Sequence, residues 1–187
     1  MLSNILGNSL DKSLGWLVKI LPFSPNVYTF LGFLSALIST VFIIDGSKVS
    51  IIFIVISGIC DILDGVSARV NKKTSDFGAF FDSVMDRFAD SFFFIGLATF
   101  FFLKEDGEGL LITITTMSFS LIISYIRARA EGIGRDCKIG MIERPERIII
   151  ICLGLFSGMI KESMMLLGLL SLITIFQRIF YVYSQKK

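Results

Sequence analysis

The chain has 187 residues, 53% of them hydrophobic, a net charge of only +2 and no histidine. Its mean hydropathy of +0.77 lies well above that of an ordinary soluble domain. No basic face is left for a nucleic acid, and the missing imidazole removes the commonest transition-metal ligand and acid–base group, so any catalysis rests on carboxylates and cations.

Residues 1–21 place Ile5, Leu6, Leu10, Leu14, Leu17, Val18 and Leu21 near helical spacing, with Ser3, Asn4, Asp11 and Lys12 between them. This is the pattern of an amphipathic helix lying on the membrane. It lacks the basic start and small-residue cleavage site of a signal peptide. Pro22 and Pro25 then break the helix and suit the start of a new one. Apolar stretches of about 20 residues follow, the length that crosses ~30 Å of hydrocarbon. They predict six spans, at roughly 26–44, 49–70, 75–103, 108–130, 143–161 and 163–183. The expected fold class is all-α integral membrane, with an interfacial helix over 1–21 and a six-helix transmembrane domain over 22–187.

The cations fall in alternate connections. Lys12, Lys19, Arg69, Lys72, Lys73, Arg127, Arg129, Arg135, Lys138, Arg144, Arg147, Arg178, Lys186 and Lys187 lie on one side, against Lys48, Lys104 and Lys161 on the other. The positive-inside tendency then puts both termini in the cytoplasm of a multi-pass protein. Cys60, Cys137 and Cys152 are odd in number and lack CxxC spacing, so they read as packing residues rather than as disulfides or zinc ligands.

Spans two and three carry Asp61, Asp64, Asp82, Asp86 and Asp90 among apolar neighbours. Each ionised side chain deep in a bilayer costs ~2.5 kcal/mol or more, so such residues are functional candidates by default. Asp61 and Asp64 share one helix face, as do Asp82 and Asp86, and a hairpin brings the two pairs together near the cytoplasmic side. Crowded carboxylates repel, so either some protonate or a cation neutralises them. Oxygen-only ligands favour a hard cation, Mg²⁺ or Mn²⁺, with Ca²⁺ as a further option and two ions in a shared cluster. Pairing with Arg69 and Arg87 as structural salt bridges is the bland alternative. Gly65, Ala68 and Gly78 lack bulk beside these acids, which admits either a ligand or close helix packing. Arg69, near the interface, suits a diphosphate or a snorkelling anchor.

The segment DILDGVSARVNKKTSDFGAFFDSVMD sets Asp61, Asp64, Gly65, Ala68, Arg69, Gly78, Asp82 and Asp86 at the spacing D-x2-D-G-x2-A-R-x8-G-x3-D-x3-D. This resembles the CDP-alcohol phosphotransferase family without departure. The resemblance implies Asp61, Asp64 and Asp82 as metal ligands. It implies Asp86 as catalytic base that also touches a metal, and Gly65, Ala68, Arg69 and Gly78 as the pocket of the CDP donor. Pro25, Asn26 and Thr29 resemble a P-N-x-x-T element of the same family, in which Asn26 either lines the nucleotide pocket or caps the helix. The implied reaction has an acceptor hydroxyl attack the lipid-side phosphorus of a CDP-lipid with release of CMP, the divalent ions stabilising the displacement. The family resemblance also implies a homodimer.

The stretch SYIRARAEGIGRDCKIGMIERPERIII gathers Arg127, Arg144 and Arg147. It is similar to the phosphatidylinositol phosphate synthases and their archaeal counterparts, the archaetidylinositol phosphate synthases. That similarity implies inositol 1-phosphate as acceptor. Its phosphate would be held by Arg127, Arg147 and Arg178, the last following Gln177, with Arg144 alongside. The donor is CDP-diacylglycerol or CDP-archaeol. Glycerol 3-phosphate as acceptor, or a di-inositol phosphate phosphate synthase using CDP-inositol, are the alternatives within the family. A cation transporter is the rival from another class, since intramembrane acids also mark ion pathways; it predicts acids reachable from both membrane faces.

Overall fold

The computed structural model describes residues 23–185 together with Trp16, Val18 and Ile20. Six helices account for most of it: α1 (Pro25–Ile44), α2 (Val49–Val70), α3 (Asp76–Leu103), α4 (Gly107–Gly132), α5 (Arg144–Ser157) and α6 (Ile160–Ser184). No strand occurs among the described residues. The amphipathic helix expected over 1–21 lies outside the described residues apart from those three. Of them Val18 is buried with Tyr28, Leu63 and Val66.

By length and apolarity α1, α2, α4 and α6 can each cross a membrane, so the chain is a multi-pass membrane protein. The other two expected spans differ for separate reasons. α3 has 28 residues, but its leading part, from Asp76 to Asp90, carries Asp76, Asp82, Asp86, Arg87 and Asp90. α5 has only 14, ending four residues earlier than its apolar run. Gly158, at φ 78°, caps α5 in the left-handed conformation, and α6 starts at once from Met159.

The helices form two compact units. The first comprises the described residues up to Phe42 with Val49–Phe93, that is nearly all of α1, α2 and α3 as far as Phe93. Here α1 and α2 approach closely: a Cβ on Gly32 would stand 3.1 Å from Cys60 Cβ. Buried serines staple the pair, Ser35 Oγ donating to Phe53 O at 2.8 Å and Ser39 Oγ to Ser50 O at 3.2 Å. Small residues and interhelical hydrogen bonds are what holds helices together where lipid removes the hydrophobic driving force. Phe33 packs edge-on against Phe88 and Phe92 of α3.

The second unit comprises Ile43–Lys48 with the rest of the described chain from Phe94. Its α4 and α6 meet where Gly168 faces Thr116, whose Oγ1 donates to Met164 O at 3.1 Å. Gly154 of α5 similarly admits Ser163 of α6. Asp106 accepts from Gly109 N at 2.9 Å to start α4, and this bond, reinforced by Lys161, holds its carboxyl below the usual range.

The loop between α4 and α5 is stitched onto α6. Ile142 N donates to Thr174 Oγ1, Met141 N to Gln177 Oε1, and Arg178 Nε to Ile139 O. Farther along α6, Arg135 donates to Val182 O and Gln185 O, and Gln185 Nε2 to Asp136 O. Cys137 is fully buried within this loop.

Candidate metal centre and anion sites

The turn between α2 and α3 is what returns Asp82 to Asp61 and Asp64. α2 ends with Lys72 at φ 53°, Lys73 N bonding back to Ala68 O at 2.9 Å and Lys72 N to Arg69 O at 3.2 Å. This doubly bonded left-handed ending reverses the chain sharply. Ser75 then opens α3, its Oγ accepting from Gly78 N at 3.0 Å.

Across that hairpin, carboxylate oxygens of Asp61, Asp64 and Asp82 lie within 4.8 Å of one another, Asp64 buried and the other two half-buried. All three belong to the first unit. The donor set is oxygen only and each group carries a charge when ionised, which fits a hard divalent cation and not a soft one. Thr29 of α1 joins the site: its Oγ1 donates to Asp64 Oδ2 at 2.8 Å and contacts Pro25 O at 3.2 Å. Asp86, one turn beyond Asp82 on α3, falls outside the converging trio, and Arg87 approaches it at 4.0 Å. Asp90 is buried deeper in the same unit.

The residues expected to bind the CDP donor surround the same hairpin. A Cβ on Gly65 would stand 3.2 Å from Arg69 Nη1, so the guanidinium folds back over the bare stretch of helix. A Cβ on Gly78 would stand 3.7 Å from Asn26 Oδ1, which brings the start of α1 beside the start of α3. Ala68, half-buried, supplies the carbonyl that closes the α2 ending.

The expected acceptor arginines belong to the second unit. Arg147, in the first turn of α5, is 3% exposed and Arg178 of α6 is 2% exposed. Arg127, Arg147 and Glu143 all lie within electrostatic reach of Arg178. Two of the three guanidinium nitrogens of Arg178 are engaged by main-chain carbonyls, Nε by Ile139 O and Nη1 by Ile123 O, both near 2.8 Å. Arg127 is exposed and paired with Glu131 at 3.0 Å. Arg144 is half-buried at the start of α5. Sequence reasoning missed the parts played by Thr174 and Gln177, and gave Thr29 no role beyond its motif. Only the pairing of Gln177 with Arg178 in sequence pointed towards them.

Residues 23–179 match the family model described as CDP-alcohol phosphatidyltransferase. The archaetidylinositol phosphate synthase of Methanothermobacter thermautotrophicus is 35% identical over 85% of this chain and 83% of its own length. The phosphatidylinositol phosphate synthase of Mycobacterium tuberculosis, solved with CDP-DAG bound, matches with a TM-score of 0.83 and 29% identity over 93% of this chain and 94% of that one. The same enzyme solved with manganese and citrate gives a TM-score of 0.84 at 28% identity, over 93% of this chain and 89% of that one. The chain belongs to the CDP-alcohol phosphatidyltransferase family and is a membrane-embedded transferase.

Proposed function

We propose that the protein transfers the lipid-linked phosphate of CDP-diacylglycerol or CDP-archaeol to inositol 1-phosphate, releasing CMP. The observation that carries the reading is the convergence of Asp61, Asp64 and Asp82 within 4.8 Å, inside the eight-residue motif that surrounds it. In this reading the trio holds Mg²⁺ or Mn²⁺, two ions in all, and Asp86 borders the second. Bound there, the divalent ions supply positive charge to the diphosphate oxygens. Asn26, Gly65, Ala68, Arg69 and Gly78 hold the CDP group. The acceptor hydroxyl oxygen bonds to the lipid-side phosphorus as the bond from that phosphorus to the CMP oxygen breaks. Asp86 takes the hydroxyl proton as this happens, because a carboxylate of ordinary basicity cannot ionise an alcohol beforehand.

Arg127, Arg144, Arg147 and Arg178 are assigned to the acceptor phosphate. Their grouping supports this, since Arg127 and Arg147 lie within electrostatic reach of Arg178 and all four belong to one unit. The relatives named archaetidylinositol phosphate synthase and phosphatidylinositol phosphate synthase favour inositol 1-phosphate over glycerol 3-phosphate, and serine would have no use for the arginines.

The six-span count extends the four apolar helices by α3 and α5, within one transmembrane domain over 22–187. At ~1.5 Å per residue α5 is about 21 Å long, short of a ~30 Å core. In this reading the site and both termini lie on the cytoplasmic face of the cell membrane and the chain acts as a homodimer.

Mn²⁺-dependent CMP release from CDP-diacylglycerol and from CDP-archaeol by the purified protein tests the assignment, with inositol 1-phosphate, glycerol 3-phosphate and serine offered separately. Release with inositol 1-phosphate alone is the expected outcome, and Arg147→Ala raises the KM for that acceptor far more than for the donor. Release with glycerol 3-phosphate only would overturn the acceptor. Metal-driven ion flux without any CMP release would favour a transporter.

A further inference from the structure

Thr29 sits four residues beyond Pro25, one full turn into α1, and faces α2. Its hydroxyl has one proton and two acceptors within reach, Pro25 O at 3.2 Å and Asp64 Oδ2 at 2.8 Å. The shorter contact runs to the group that carries charge when ionised, and a charge-assisted hydrogen bond is roughly twice as strong as a neutral one. The proton therefore belongs to Asp64. Thr29 and Asp64 are each 7% exposed, so water competes poorly for the bond. A carboxylate tied at one oxygen no longer turns freely about its Cβ–Cγ bond, and Asp64 belongs to the converging trio.

We propose that Thr29 is a positioning residue for the metal centre: its hydroxyl fixes the plane of the Asp64 carboxylate so that the oxygens of Asp61, Asp64 and Asp82 stay converged on a divalent cation. The inference rests on the metal reading of that trio. It gives α1, which contributes no carboxylate, a direct part in holding the ion. Partners of this kind orient metal ligands in general, and their loss typically lowers metal affinity by about 10–100-fold.

The experiment is Mn²⁺ titration of the full-length chain in detergent, without donor or acceptor, with free Mn²⁺ read by electron paramagnetic resonance. Thr29→Val keeps the shape and removes the donor; its Kd for Mn²⁺ rises about 10–100-fold. Thr29→Ser keeps the hydroxyl and binds Mn²⁺ close to the unsubstituted chain. Unfolding temperatures in EDTA accompany both, because a merely structural role would lower the Val variant's unfolding temperature and leave its Mn²⁺ affinity in place. Should the Val variant fail to fold, Thr29→Ala takes its place with the same expected loss. Asp64→Asn separates the two layers of the argument. Affinity lost in Asp64→Asn but kept in Thr29→Val overturns the positioning role alone. Affinity untouched by Asp64→Asn overturns the metal reading, and the positioning role with it.

Discussion

At the scale of single residues, what distinguishes the acids of α2 and α3 is how they divide. Three carboxylates converge within 4.8 Å, and the fourth, Asp86, stands one turn away with its side chain 15% exposed. Converging oxygens suit a shared cation, while a carboxylate outside the trio remains able to take up a proton. Asp86→Asn preserves size and hydrogen-bonding shape but cannot accept that proton. The expected outcome is a fall in kcat of about 10²–10⁴, with Mn²⁺ and CDP-lipid binding both retained. Single-turnover assays beside direct binding measurements check this, and unimpaired turnover would remove Asp86 from the base role. The pairing of Asp61 with Asp64 was legible in the sequence because a spacing of three residues puts carboxylates on one helix face, and the hairpin after α2 brings Asp82 to them. The bond from Thr29 was not, because it joins residues 35 positions apart and depends on how closely α1 approaches α2.

At the scale of elements, long apolar runs revealed α1, α2, α4 and α6 nearly to the residue, since a helix in lipid has no competing conformation that satisfies its backbone. α5 shows the limit of that signal. Its apolar run continues past Gly158, yet a glycine in the left-handed conformation ends the helix and hydropathy does not register it. The loop before α5 was invisible for a related reason: its order comes from polar side chains 32 to 39 residues away. Thr174 Oγ1 both accepts from Ile142 N and donates to Leu170 O, within a buried setting. Removing that oxygen strands a buried N–H, at a cost of about 1–3 kcal/mol. Thr174→Val is therefore expected to lower the unfolding temperature in detergent. Thr174→Ser, which keeps the oxygen, stays near the unsubstituted chain. Equal losses in the two would mean that the methyl group, not the hydrogen bond, secures the loop.

At the scale of the whole molecule, orientation in the membrane rests on where the cations are and on what holds them. Most lie around the turn after α2, the loop after α4 and the chain ends. The three assigned to the opposite side are each satisfied locally. Lys161 bonds Asp106 at 3.2 Å and Glu108 at 2.7 Å, Lys48 lies over the ring of Phe156, and Lys104 lies over that of Phe100. The tendency counts Lys and Arg in the connections rather than net charge, so the expectation of a cytoplasmic α2–α3 turn rests on their unequal numbers on the two sides. In a chain whose own three cysteines are replaced by serine or alanine, a cysteine at Lys73 should react with a membrane-impermeant maleimide only in inverted vesicles. One at Ser47, between α1 and α2, should react only in intact cells. Because consecutive connections must alternate if every helix crosses, a third cysteine at Lys138 tests α3 and α4 together, and it should behave like Lys73. Labelling of Lys138 from outside would mean that α3 or α4 fails to cross, and the acidic leading part of α3 would then be the segment to re-examine.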